Sequence, residues 1–136
     1  MKEIATYLFA AAGTIYFALG AIHWWYTFYT RRFNPEVPEL MAQMKAISPR
    51  ISKGTTVWKA WMGFNASHST GAMFFGFVLV YLPAALDESA IFTTATVINS
   101  LYYVWLARTY WFRIPLIGTA VAAVFVLIAL LIQVFG

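Results

Sequence analysis

The sequence predicts an all-α integral membrane protein: an up-down-up-down bundle of four transmembrane helices, with a short amphipathic interfacial helix in the first loop. Three observations carry this expectation. Of 136 residues, 62% are hydrophobic and only 10% charged, too few charges to clothe a water-soluble domain. The apolar residues fall into four runs, each near the ~20 residues that a hydrocarbon core of ~30 Å demands. The nine Lys and Arg residues lie at the ends of those runs or in the loops between them. The length suffices for one bundle and no extramembrane catalytic module, so residues 1–136 are read as a single transmembrane domain.

The first span is predicted over about residues 4–29. Lys2 ahead of an apolar stretch with Ala10, Ala11 and Ala12 invites comparison with a secretory leader. The apolar run continues to Tyr29, however, which is too long for such a segment, and a retained helix is expected. Arg31 and Arg32 mark its end. The interfacial helix is expected over about residues 35–47. Asn34-Pro35 resembles a helix start, and Glu36 and Glu39 suit the positive end of a helix. Val37, Leu40, Met41 and Met44 then recur at helical spacing until Ser48-Pro49 interrupts them.

The second span is predicted over about residues 57–82, introduced by Gly54-Thr55-Thr56 and stopped by Pro83. Asp87, Glu88 and Ser89 predict a tight acidic turn. The third span, about residues 90–107, ends at Arg108. A short aromatic connection, Tyr110-Trp111-Phe112-Arg113, leads to Pro115 in the first turn of the fourth span, about residues 114–135. Short connections imply the up-down-up-down order. Arg31, Arg32, Lys45, Arg50, Lys53, Lys59, Arg108 and Arg113 fall on one side of this arrangement and Lys2 alone on the other. The cation bias predicts cytoplasmic loops at 30–56 and 108–113, with both termini on the opposite side.

The sequence also excludes chemistry. Without cysteine there is no disulfide, no thiolate nucleophile and no sulfur-ligated metal. No Asp or Glu lies inside a span, whereas small multidrug antiporters, proton-driven exchangers and carboxylate-dependent sterol isomerases need an intramembrane acid. The net charge of +4 sits in loops beside aromatic-rich spans, which fits a lipid surface and not nucleic acid. The expected partners are the lipid bilayer, other membrane subunits or a second copy of the chain.

Polar side chains in hydrocarbon cost free energy unless partnered, so they mark where function is to be sought. They are His23 on the first span, Asn65, Ser67, His68, Ser69 and Thr70 on the second, Thr96, Asn99 and Ser100 on the third, and Gln133 on the fourth. At a rise of about 1.5 Å per residue, His23, His68 and Asn99 each lie roughly 12–13 Å inside the cytoplasmic boundary. Gly13, Tyr16, Gly20, His23 and Thr27 follow a 3,4 spacing that faces a bundle interior. Trp61, Asn65, His68 and Ala72 do the same on the second span, as do Thr96, Asn99, Ser100 and Tyr103 on the third. The spacing predicts a ligand pocket of His23, Asn65, His68 and Asn99, lined by Tyr16, Trp24, Trp61 and Tyr103. The competing reading makes these residues interhelical glue worth only ~0.6–2 kcal/mol per hydrogen bond.

Gly63, Ser67 and Gly71 form a small-xxx-small run expected to be a helix-packing seam, with Gly13 and Gly20 in the same role on the first span. Trp24, Trp25, Tyr26, Phe28 and Tyr29 read as an interfacial aromatic belt. Two facing imidazoles also suit a bis-histidine haem b on His23 and His68 or a quinone hydrogen-bonded by either. They are too few for zinc, and no metal site is expected.

At LGAIHWWYTF (Leu19–Phe28) and WMGFNASHSTG (Trp61–Gly71) the chain resembles a group of small bacterial four-helix membrane proteins with a G-F-N-x-S-H-S-like motif and no assigned activity. The resemblance covers the first two-thirds of the chain and matches His23, Gly63, Asn65, Ser67 and His68 to the motif positions. It implies a bacterial inner-membrane location and lends no reaction. The expected function is non-enzymatic: an accessory subunit of a larger membrane complex, a binder of a lipophilic molecule at the two-histidine pocket, or both. A redox or acid–base protein using the histidines and a small transporter are the alternatives.

Overall fold

The structure, a computed structural model, describes residues 2–83 and 89–135. Among these it holds five helices and no strand: α1 (Lys2–Tyr29), α2 (Pro38–Ala46), α3 (Val57–Tyr81), α4 (Ala90–Tyr110) and α5 (Arg113–Phe135). Asp87 and Glu88 of the expected acidic turn lie outside the described residues. Three helices, α1, α4 and α5, are long and apolar enough to cross a membrane. The 25-residue α3 has the length, but Asn65, Ser67, His68, Ser69 and Thr70 make its first half more polar than the other three.

The long helices start and stop for local reasons. Ser89 caps α4: its backbone is extended and its hydroxyl accepts from the Phe92 N–H at 3.3 Å, as an N-cap residue does. The helix runs to Tyr110, three residues beyond the expected end, and Trp111 leaves it in extended conformation. α5 begins at Arg113 with Pro115 inside the first turn, where its missing N–H costs nothing.

The short helix departs from expectation. It begins at Pro38 and not at Pro35, and Val37 at φ −91°, ψ 112° is its N-cap residue. The second proline explains the shift. A helix started at Pro35 would need the residue 38 N–H to bond the Asn34 carbonyl, and Pro38 has no N–H. Its ring also pushes Val37 out of the helical region. Glu36 is therefore left outside the helix, while Glu39 stays in the first turn.

By its contacts the chain divides into two units, residues 1–19 with 72–136, and residues 20–71. The first takes the opening part of α1, the closing part of α3, and α4 and α5. Its core is Ala5, Phe9, Ala12, Tyr16, Leu79, Ala122, Val126 and Ala129, with Leu8, Phe75, Phe92 and Tyr103 packed around it. Small residues set the spacing there. A Cβ on Gly13 would stand 2.5 Å from the Gly76 carbonyl oxygen and 2.8 Å from Leu79 Cβ. A Cβ on Gly76 would in turn meet the Gly13 carbonyl and the Phe17 backbone nitrogen. α1 and α3 thus cross with backbone against backbone, the close approach that glycine permits.

The second unit takes the end of α1, the 30–37 connection, α2, the 47–56 connection and the start of α3. Thr30 Oγ1 donates to the Tyr26 carbonyl at 2.9 Å and accepts from the Arg32 N–H at 3.2 Å, terminating α1. The Val57 N–H donates to the Ile47 carbonyl at 3.0 Å, closing the loop between α2 and α3. No residue of α2 is buried.

Candidate functional site: a histidine pair held by an asparagine

The second unit brings together His23 of α1 with Asn65 and His68 of α3. Asn65, 9% exposed, is the centre. Its Nδ2 donates to the Trp61 carbonyl one turn back at 2.9 Å, which fixes the orientation of the amide. Its Oδ1 therefore faces His23 Nε2, at 2.9 Å. An amide oxygen only accepts, so Nε2 must donate, and the neutral His23 imidazole carries its proton there. This tautomer follows from the hydrogen-bond network. Nδ1 is left as the acceptor nitrogen. The Asn65 backbone carbonyl also accepts from the buried Ser69 hydroxyl at 2.6 Å, and the His23 carbonyl accepts from Thr27 Oγ1 at 2.8 Å.

The two imidazole rings stand 5.2 Å apart, edge to face at 74°, and both residues are half-buried. Phe33, from the connection after α1, lies 4.5 Å from the His23 ring, and its carbonyl accepts from the Trp61 indole N–H at 3.3 Å. Nothing in the periodicity of the sequence singled out Phe33, an aromatic in a polar loop. The only signal is its place next to Arg32, whose guanidinium covers Tyr26 at 4.6 Å.

Of the remaining expected lining residues, Tyr16, Asn99 and Tyr103 belong to the first unit. Tyr16, 1% exposed, packs on Phe75 at 4.9 Å and Tyr103 at 5.4 Å. Its buried hydroxyl lies beside that of Ser100, and neither has another partner among the described residues. Asn99 is half-buried on the same helix as Ser100. The expected lining is thus described as one cluster in each unit. Trp24, in the second unit, is 37% exposed and its ring lies tilted against those of Phe28 and Tyr29.

The expected seam of Gly63, Ser67 and Gly71 is corrected. All three are exposed, a Cβ on Gly63 would meet nothing within 4 Å, and the Ser67 hydroxyl turns back to the Phe64 carbonyl. The buried face of α3 runs through Asn65, Ser69, Ala72, Gly76 and Leu79. Residues offset by two positions lie about 200° round a helix, on the opposite side. Gly13 and Gly20 on α1 are buried.

The pair does not fit bis-histidine haem. Axial imidazoles stand on opposite faces of a macrocycle in line with the iron, whereas these rings touch edge to face and His23 Nε2 is engaged by Asn65. Among the described residues no third His, Cys, Asp or Glu joins them to complete a metal site, and zinc wants four donors. The arrangement offers hydrogen bonding at the edge of an apolar environment. No protein family, curated protein or solved structure matches this chain.

Proposed function

We propose that the protein is a four-span integral membrane protein of a bacterial inner membrane that binds a small lipophilic molecule through the His23–His68 pair. α3 then serves as the second of the four spans, with 30–56 and 108–113 on the cytoplasmic side in accord with the cation bias. The reading rests on one observation: an imidazole whose tautomer is set by a buried asparagine, paired with a second imidazole that remains half-buried. The His23 imidazole, with its acceptor nitrogen, lies beside the ring of Phe33, whose carbonyl is held by the Trp61 indole; a polar group next to aromatic surface suits a ligand with a polar head and an apolar body. A hydroxyl- or carbonyl-bearing molecule of the quinone class meets that description, and no covalent chemistry is required of the chain.

The test uses the purified protein in lipid nanodiscs, titrated with a short-chain quinone while tryptophan fluorescence is read. Saturable quenching is expected in the unaltered protein, with affinity at least tenfold weaker in His23→Ala and His68→Ala, the loss of about one hydrogen bond in a dry site. Equal quenching in all three proteins would remove the site. The exposed small-residue face of α3 supports a companion role as a subunit of a larger assembly, for which that face is the contact.

A further inference from the structure

We infer that the segment 30–56 is a docking arm for anionic phospholipid headgroups. Residues 31–59 hold six of the nine cations and two of the five acids; elsewhere three cations meet three acids, so the whole net charge of +4 lies in this stretch. Arg31, Arg32, Lys45, Arg50, Lys53 and Lys59 are all exposed. Arg32 covers the Tyr26 ring, and Lys45 approaches the Trp58 ring at 5.6 Å.

Apolar residues accompany the charge. On α2, Leu40, Met41 and Met44 fall on one side of the helix by their spacing, with Val37 and Ile47 at its two caps. Met41 and Met44 are half-buried, but Leu40 is 48% exposed, Ile47 54% and Ile51, in the following turn, 94%. A short helix with an uncovered apolar edge beside clustered cations is the form taken by segments that lie in a membrane interface. The occupant is set by tethering. α1 ends at Tyr29, immediately before the arm, and α3 begins at Val57, immediately after it. With both helices crossing the bilayer, a lipid surface is always within reach, and each juxtamembrane cation strengthens attraction to its anionic headgroups.

The inference rests on the topology proposed above and not on ligand binding by the histidines. Because the chain has no cysteine, one introduced cysteine carries an environment-sensitive fluorophore without ambiguity. Leu40→Cys and Ile51→Cys report on the arm, and Phe74→Cys, exposed on α3, reports on the span. The whole chain is placed in nanodiscs of phosphatidylcholine, alone or mixed with phosphatidylglycerol. At positions 40 and 51 we expect a blue shift and protection from an aqueous quencher only with phosphatidylglycerol, reversed by high salt. Adding Lys45→Gln, Arg50→Gln and Lys53→Gln together should weaken docking roughly 100-fold, with helix content unchanged by circular dichroism.

Equal emission in both lipids, or emission indifferent to the three substitutions, overturns the inference. Protection seen in native membranes but absent from phosphatidylglycerol nanodiscs overturns it in favour of a protein partner. A water-exposed label at Phe74→Cys overturns the topology and the inference together, whereas a lipid-buried label there with no lipid dependence at 40 and 51 overturns the inference alone.

Discussion

Glycine-to-alanine exchange at three positions separates close helix packing from intrinsic helix preference. Within a helix, alanine is favoured over glycine by about 1 kcal/mol. At Gly63 the added methyl would meet open space, so Gly63→Ala should be neutral or stabilising by up to that amount. At Gly13 the methyl would stand 2.5 Å from the Gly76 carbonyl oxygen, 2.8 Å from Leu79 Cβ and 3.0 Å from Val80 Cγ2. Two of those three atoms cannot swing aside, because one is backbone and the other is the first atom of a side chain. The helices must separate, and overpacking of this kind costs about 1–3 kcal/mol, with backbone clashes toward the upper end. After the propensity gain, Gly13→Ala should destabilise by about 1–2 kcal/mol, and Gly76→Ala, which meets Gly13 and Phe17 backbone, by a similar amount.

The double variant should cost less than the sum, because helices already parted by one methyl accept the second more cheaply. Denaturant-driven unfolding in mixed micelles, followed by tryptophan fluorescence, reads all four variants against the unaltered protein. The reasoning is refuted if Gly13→Ala proves as stable as Gly63→Ala, or if the two destabilising changes add in full.

Asn65→Leu removes the acceptor for His23 Nε2 and the hydrogen bond that the Asn65 amide donates to the Trp61 carbonyl. It should destabilise by about 1–3 kcal/mol through a stranded imidazole N–H and weaken quinone quenching, whereas Ser67→Ala, on the exposed side of the same helix, should change neither. Ser89→Ala deletes the α4 cap and should cost about 1 kcal/mol; faster hydrogen exchange confined to the Phe92 and Thr93 amides is the corresponding readout, and uniform exchange along α4 would contradict it.

The long helices were legible because hydrocarbon thickness constrains apolar runs so strongly that composition nearly suffices. Burial of Gly13, Tyr16 and Gly20 was legible from spacing alone. The seam was misplaced on α3 because two small-residue patterns share that helix, Gly63-Ser67-Gly71 and Ala72-Gly76, and only the polar neighbours distinguish them. Asn65 and Ser69 need shelter, so the sheltered side continues into Ala72 and Gly76, and the other pattern is left outside. The start of α2 was misjudged because one proline is a good opening residue, but a second proline three positions later revokes it. The contact of Phe33 with His23 was illegible, since it depends on how a non-periodic connection folds back and no local spacing encodes that path.

The Trp61–Phe33 hydrogen bond ties a loop carbonyl to a helix side chain directly beside the imidazoles. Trp61→Phe, which lacks the indole N–H, would remove that tie and loosen the loop whose Phe33 ring lies 4.5 Å from that of His23.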